Sequence, residues 1–132
     1  MIQRTQRRLS RIENFFSMLM AKKGVSDNVI VGELPPTTSK EWNDFVNIDV
    51  GQQQDHNAYA TGYVNIYLYA RPTGSPPKKN IKTLDKMEEA LDKVISEAKN
   101  QDYIISELYR DSGYDTNRQF HYDMICVSIT TK

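Results

Sequence analysis

Side chains that commonly carry out catalysis are few in this sequence and fall into three short segments. In the first, Asp55 precedes His56 within a polar stretch, a pair that suggests a general acid–base dyad. General acid–base catalysis needs both groups held in a fixed geometry, and adjacent side chains of a polar loop diverge. No nucleophile accompanies the pair in sequence. We therefore expect a solvated loop here.

The second segment is a candidate metal site near the end of the chain, formed by His121, Asp123 and Cys126. Side chains on a β-strand alternate between its two faces, so His121 and Asp123 would point away from Cys126. One tetrahedral metal site cannot then use all three ligands. Cys126 stands between Ile125 and Val127, which predicts a small buried side chain rather than a reactive thiol.

The third segment, residues 111–117, is rich in oxygen ligands. It lacks the ligand spacing and the bidentate glutamate of a calcium-binding loop. The sequence also contains no glycine-rich phosphate loop, no nucleophile elbow and no CxxC pair. Its single cysteine excludes an internal disulfide. We expect no enzyme activity, no cofactor and no resident metal.

Charge is balanced in total but uneven along the chain. The 132 residues include 17 basic and 17 acidic side chains. Residues 1–23 carry a surplus of five positive charges, and residues 84–111 carry a surplus of four negative charges. A net charge near zero argues against a dedicated nucleic-acid binder. Separated poles of opposite sign favour head-to-tail packing of identical copies, although two solvated helix faces are the simpler alternative.

The basic pole lies on a predicted amphipathic helix over residues 3–23, which Gly24 ends. Its apolar positions recur every three or four residues, at Leu9, Ile12, Phe16, Leu19 and Met20. Arg4, Arg8 and Arg11 fall together on a flank away from this apolar stripe. We expect them to pair with acids of another element or another subunit. Contact with nucleic-acid phosphates is the alternative.

A second helix and five strands follow from the remaining patterns. The strands are predicted over residues 29–31, 45–50, 59–71, 103–110 and 120–130. The second helix begins at Thr83, its predicted N-cap, and continues to about residue 99. It carries the acidic pole, including Glu88 and Asp92. Surface loops or turns are predicted at residues 51–57, 72–80 and 111–115.

The order helix-β-β-β-helix-β-β predicts one α+β domain over residues 1–132. Its sheet should be mainly antiparallel, with both helices packed on one face. The strand at residues 59–71 has an aliphatic face for the helices. Its other face carries Tyr63, Tyr67, Tyr69 and Arg71. Tyrosine and arginine are enriched at protein interfaces, so these four residues, the three helix arginines, Glu88 and Asp92 form our predicted subunit interface.

From about residue 44 onward, the pattern resembles the tail terminator proteins of long-tailed bacteriophages, of the lambda minor tail protein U type. A strand ending in a glycine and a polar loop is followed by the alternating strand at residues 63–69 and an acidic amphipathic helix. A strand then leads into the turn Ser112-Gly113-Tyr114-Asp115 and a long final strand at residues 120–131. The leading helix and the total length are similar too.

The resemblance implies a homo-oligomeric ring, a hexamer in that family, which stops tail-tube polymerisation and joins the tube to the head connector. It implies a place in the virion neck, with assembly in the host cytoplasm, and DNA passing transiently through the lumen. The family has no catalytic residues to carry over. No run of about 18 apolar residues occurs, so we expect no membrane span. The alternatives are another phage neck ring protein and a small cytoplasmic ligand- or peptide-binding module.

Overall fold

Two amphipathic helices and five strands form the fold in the predicted order. The computed structural model describes residues 4–34, 41–55, 60–99 and 103–131. Its elements are α1 (Arg4–Lys23), β1 (Val29–Val31), β2 (Asp44–Asp55), β3 (Ala60–Ala70), α2 (Ile81–Lys99), β4 (Tyr103–Asp115) and β5 (Phe120–Thr131). The predicted element order and the α+β class are confirmed.

The five strands form one mixed sheet in the order β1-β2-β3-β5-β4. The pairs β2–β3, β3–β5 and β5–β4 are antiparallel, whereas β1 pairs with β2 in parallel. Helix α2 carries the chain from β3 to the far edge, where β4 forms. Strand β5 then inserts between β3 and β4. β1 and β4 are consequently the two edges of the sheet.

The main core is built from residues at the spacing that each element dictates. Residues at alternating positions of β2, β3 and β5 share one buried cluster with residues of both helices. Helix α2 contributes Leu84, Met87, Leu91, Val94 and Ala98, at intervals of three or four residues. Leu91 and Val94 lie in the same cluster as Ile66 and Leu68 of β3, as the sequence predicts. Helix α1 contributes Phe16, Leu19 and Met20.

The N-cap of α2 lies three residues earlier than predicted. The side-chain oxygen of Asn80 accepts a hydrogen bond from the backbone N–H of Thr83, at 3.2 Å. Asn80 is therefore the N-cap, and Thr83 lies in the first turn. The predicted cap at Thr83 was wrong because both residues are good capping types, and the chain uses the earlier one.

Two predicted loops are in fact strand. β2 continues to Asp55, because its pairing with β3 resumes after a register shift between Val50 and Gln53. β4 continues to Asp115, so the turn predicted at residues 111–115 is displaced toward residues 116–119. Asp115 stabilises that turn, since its Oδ1 accepts from the N–H groups of Asn117 and Arg118, both at 3.0 Å. Residues 56 and 57 of the predicted loop lie outside the described residues.

The proline-rich connection between β3 and α2 is confirmed as a surface loop. Residues 73–79 are exposed. Thr73 and Lys78 exchange backbone hydrogen bonds of 2.8 and 3.0 Å, which closes the loop on itself.

Replacing Leu91 with alanine should lower the free energy of unfolding by about 2–5 kcal/mol, because the side chain is fully buried in the main core. Denaturant unfolding of the purified chain measures this. Lys93→Ala, at an exposed position two residues away, is the control and should change the free energy by less than about 0.5 kcal/mol. Equal effects of the two substitutions would contradict the assignment of the buried face of α2.

Candidate functional site

The face of the sheet opposite the main core is covered by aromatic side chains. Cross-strand pairing places Phe45 of β2 beside Tyr69 of β3, and Tyr69 beside Tyr122 of β5. The Phe45 and Tyr69 rings are stacked, with centroids 4.2 Å apart and planes 7° apart. Phe120 meets Phe45 edge-on at 5.1 Å. Because Phe45, Tyr69 and Phe120 are buried, they form a second core.

Two described residues of the connection between β1 and β2 cover part of this aromatic core. Leu34 and Trp42 pack against it. Arg71 holds the cover in place, because its guanidinium donates to the carbonyl oxygen of Trp42 from Nε at 3.1 Å and Nη2 at 2.8 Å. The same guanidinium lies 4.6 Å from the centroid of the Phe120 ring, a cation–π contact. Arg71 thus acts within the chain.

Gly113 of β4 completes the aromatic row at the edge of the sheet. It is the cross-strand partner of Tyr122. A Cβ at position 113 would lie 2.7 Å from Cζ of Tyr122, so the tyrosine ring occupies the space that any larger residue would need. The glycine that suggested a turn in the sequence is required for ring packing.

Toward the other end of this face, polar side chains replace aromatic ones and border an open groove of about 700 Å³. Its lining includes Glu33, Asp49, Tyr67, Tyr69, Asp115 and Tyr122. Among the described residues, no lysine or arginine lines it. Asp115 is paired with Arg118 at 2.8 Å, whereas Glu33 and Asp49 are exposed. The groove combines carboxylates with tyrosine rings.

Two tyrosines of the groove have altered ionisation. Burial, with a further contribution from Asp115, raises the pKa of Tyr69 to about 12. Burial and the charge of Asp49 raise the pKa of Tyr67. Tyr69 is only 6% exposed, and its hydroxyl has no hydrogen-bond partner among the described residues. This hydroxyl therefore stays protonated at neutral pH, with hydrogen-bonding capacity available to a ligand.

The edge strand β4 presents the largest group of exposed apolar side chains in the described part of the chain. Four of its large hydrophobic residues are exposed: Ile104, Leu108, Tyr109 and Tyr114. A register shift between Glu107 and Tyr109 leaves Leu108 without a partner on β5. Within the described residues, no strand pairs with the outer edge of β4. Such an edge is a template for contact with another chain.

The acidic residues predicted on α2 are bound within the chain. Arg110 of β4 lies 3.6 Å from a carboxylate oxygen of Glu88 and 3.4 Å from one of Asp92, and it pairs with Glu107. The hydrogen bond to Glu107 raises the pKa of Arg110 and lowers that of Glu107. Burial raises the pKa of Glu88. Glu88 and Asp92 thus tie α2 to β4 and offer less free charge than predicted.

The remaining predicted interface residues differ in how far their side chains are exposed. Tyr63 is 48% exposed, Tyr67 is half-buried, and Tyr69 presents little area to a partner. Arg4, Arg8 and Arg11 lie on the backbone of α1, but their side chains are outside the described residues. Among the described side chains, residues of the opposite poles meet where Lys23 pairs with Glu97 at 2.9 Å.

The candidate metal ligands are separated by the sheet. His121 and Asp123 pair across from Ala70 and Leu68, on the side of the main core, whereas Cys126 pairs with Asn65 on the other side. Cys126 is buried, as predicted. Among the described residues, no group of three histidine, cysteine or acidic side chains is placed to hold a metal ion.

No protein-family model matches the chain, and no curated protein matches it significantly. None of the described helices has the length and apolar character needed to cross a membrane.

The packing of Tyr122 on Gly113 reverses the usual effect of adding a methyl group to a strand. Glycine-to-alanine substitution in a strand normally gains about 0.5–1 kcal/mol. Here Gly113→Ala should instead lower the free energy of unfolding by about 1–3 kcal/mol, because the new Cβ displaces the Tyr122 ring. In a Tyr122→Leu background the same substitution should be neutral or stabilising, as a double-mutant cycle by denaturant unfolding would show. Equal costs in both backgrounds would rule out the contact.

The raised pKa of Tyr69 makes stability depend on alkaline pH. A tyrosine of the unfolded chain ionises near pH 10, whereas Tyr69 in the folded chain ionises near pH 12. Its contribution to stability is therefore complete below about pH 10 and is lost as the pH rises toward about 12. Unfolding free energies measured across this range should fall less steeply for Tyr69→Phe than for the wild type. Tyr63→Phe, which removes a hydroxyl from a side chain that is 48% exposed, is the control for the loss of a hydroxyl. An unchanged slope in Tyr69→Phe would contradict the assignment.

Proposed function

We propose that the chain is a structural protein of a long-tailed bacteriophage, a tail terminator whose ring caps the tail tube and joins it to the head connector. The observation that carries this proposal is the element order, a leading helix, three strands, an acidic helix and two long strands. It is the order on which the resemblance to tail terminators depends. The candidate metal ligands support a role that does not use them, since His121 and Asp123 lie on the opposite side of the sheet from Cys126.

The edge of β4 supports assembly as the way in which the protein acts. An exposed strand edge with apolar side chains favours contact with another chain. Identical subunits that contact each other through two different surfaces form a ring when the rotation closes. The free face of such a ring would then cover the growing end of the tube. The mechanism is geometric and needs no bond to be made or broken.

The direct test combines solution mass with tube growth. Light scattering at two protein concentrations should give a mass of about six times 15.3 kDa, and negative-stain images should show rings. Added to polymerising tail-tube protein from the same phage, the chain should arrest elongation. A variant with Leu108→Lys and Tyr109→Lys, which places charge on the β4 edge, should assemble and arrest growth less well. Lys82→Ala with Lys93→Ala is the surface control.

Different outcomes point to different alternatives. Rings that leave tube growth unchanged would indicate another neck or connector ring protein. A chain that stays monomeric, has no effect on tubes and binds a small ligand or peptide in the groove would contradict the proposal and favour a binding module.

A further inference from the structure

The groove beside the aromatic core has the chemistry of a site for guanidinium groups. A guanidinium forms paired hydrogen bonds with carboxylates and stacks on aromatic rings. The groove supplies exposed carboxylates at Glu33 and Asp49 and tyrosine rings at Tyr67 and Tyr122. It also supplies the Tyr69 hydroxyl, which lies on a residue 94% buried and has no partner among the described residues.

The chain itself carries the matching group. Residues 4–11 of α1 contain four arginines and no acidic residue. Elsewhere, several basic side chains already have acidic partners within the chain: Lys23, Lys79, Arg110 and Arg118. The start of α1 is thus the most concentrated positive charge in the sequence, and the groove is a negative surface without basic lining.

The described part of α1 packs against the main core, whereas the groove lies on the other face of the sheet. Helix α1 is anchored through Phe16, Leu19 and Met20 in the main core, which contains the aliphatic positions of the strands. The groove is lined by residues at the alternate positions, such as Asn47, Asp49 and Tyr67, and therefore lies on the opposite side of the sheet. Burial, with a contribution from the charge of Asp49, raises the pKa of Glu13, so α1 also comes near Asp49 of its own copy. Contact within one copy is the alternative occupant of the groove, and in that case charge reversal would leave assembly unchanged.

We propose that the groove receives the arginine-rich start of α1 from a second copy of this chain. This inference rests on the proposed ring and names its subunit contact. It also replaces the acidic partner expected from sequence: Glu33 and Asp49 take the place of Glu88 and Asp92, which Arg110 already binds. The two contacting surfaces are different, so each copy has one of each to offer, as a head-to-tail ring requires.

Charge reversal on each side, followed by reversal of both, tests the pairing. The basic reversal is Arg8→Glu with Arg11→Glu, and the acidic reversal is Glu33→Lys with Asp49→Lys. Each should raise the protein concentration at half-assembly by about tenfold or more, since like charges then face each other. The four changes combined should recover most of the wild-type assembly. Sedimentation velocity over a concentration series measures this.

Controls separate the specific contact from net charge and from folding. Lys82→Glu with Lys93→Glu changes the net charge as much as the basic reversal does, at exposed positions of α2, and should leave assembly within about twofold of the wild type. Asp85→Lys with Glu89→Lys is the matching control for the acidic reversal. Thermal melting of every variant as a dilute subunit should show that the fold is kept.

Several results would overturn the inference. Reversals with no effect on assembly would exclude the contact while leaving the ring, and hence the proposed function, intact. Single-sided losses that the combined variant does not recover would show that the arginines and the groove meet other partners. A basic reversal that abolishes binding of the protein to DNA without changing assembly would show that the arginines contact nucleic acid. A wild-type chain that remains monomeric at every concentration, alone and with tubes, would remove both proposals.

Discussion

Burial of strand β3 on both faces is the constraint on which the rest of the structure depends. From Val64 to Ala70, the aliphatic positions are completely buried, and Tyr69 between them is nearly so. A strand at the centre of a sheet can be buried on both sides only if each face is covered by a separate layer. On one face, residues of both helices share a buried cluster with the aliphatic positions of β3. On the other face, Leu34 and Trp42 pack against the aromatic rings.

This second layer explains where the groove lies. Aromatic rings cover one end of the sheet face, where Phe45, Tyr69 and Phe120 exclude water. Toward Asp49 and Tyr63 the cover ends, and polar side chains are exposed beside half-buried tyrosines. The groove lies between the buried aromatic end of this face and its exposed acidic end, because the second layer covers only part of the face. The edge of β4 is accessible for a different reason, because no described strand pairs with its outer side.

Sequence patterns predicted what depends on local spacing and missed what depends on pairing between distant strands. Three- and four-residue spacing was enough to predict the buried face of α2, and alternation was enough to predict the two faces of β3. The end of β4 was mispredicted because Gly113 belongs to a turn-like string, whereas its real constraint is Tyr122, nine residues later on another strand. The groove joins Glu33, Asp49 and Asp115, residues that only the strand register brings together. The pairing of Arg110 with α2 likewise follows from tertiary placement.

Strand β4 contains one extra residue, Leu108, which lies outside the pairing with β5. The length of this edge strand can therefore change without a change in the packing of the core. Before the register shift, Ile105 and Glu107 of β4 pair with Ile129 and Val127. After it, Arg110 pairs with Ile125, so the β4 partners of these buried β5 residues change from odd-numbered to even-numbered positions. Leu108, which has no partner on β5, is the residue at which this change in pairing occurs. A residue gained or lost at this point during evolution would leave both halves of the strand in register with β5. The chain can therefore vary its outer edge, where partners would be recognised, while the packing beneath it stays the same.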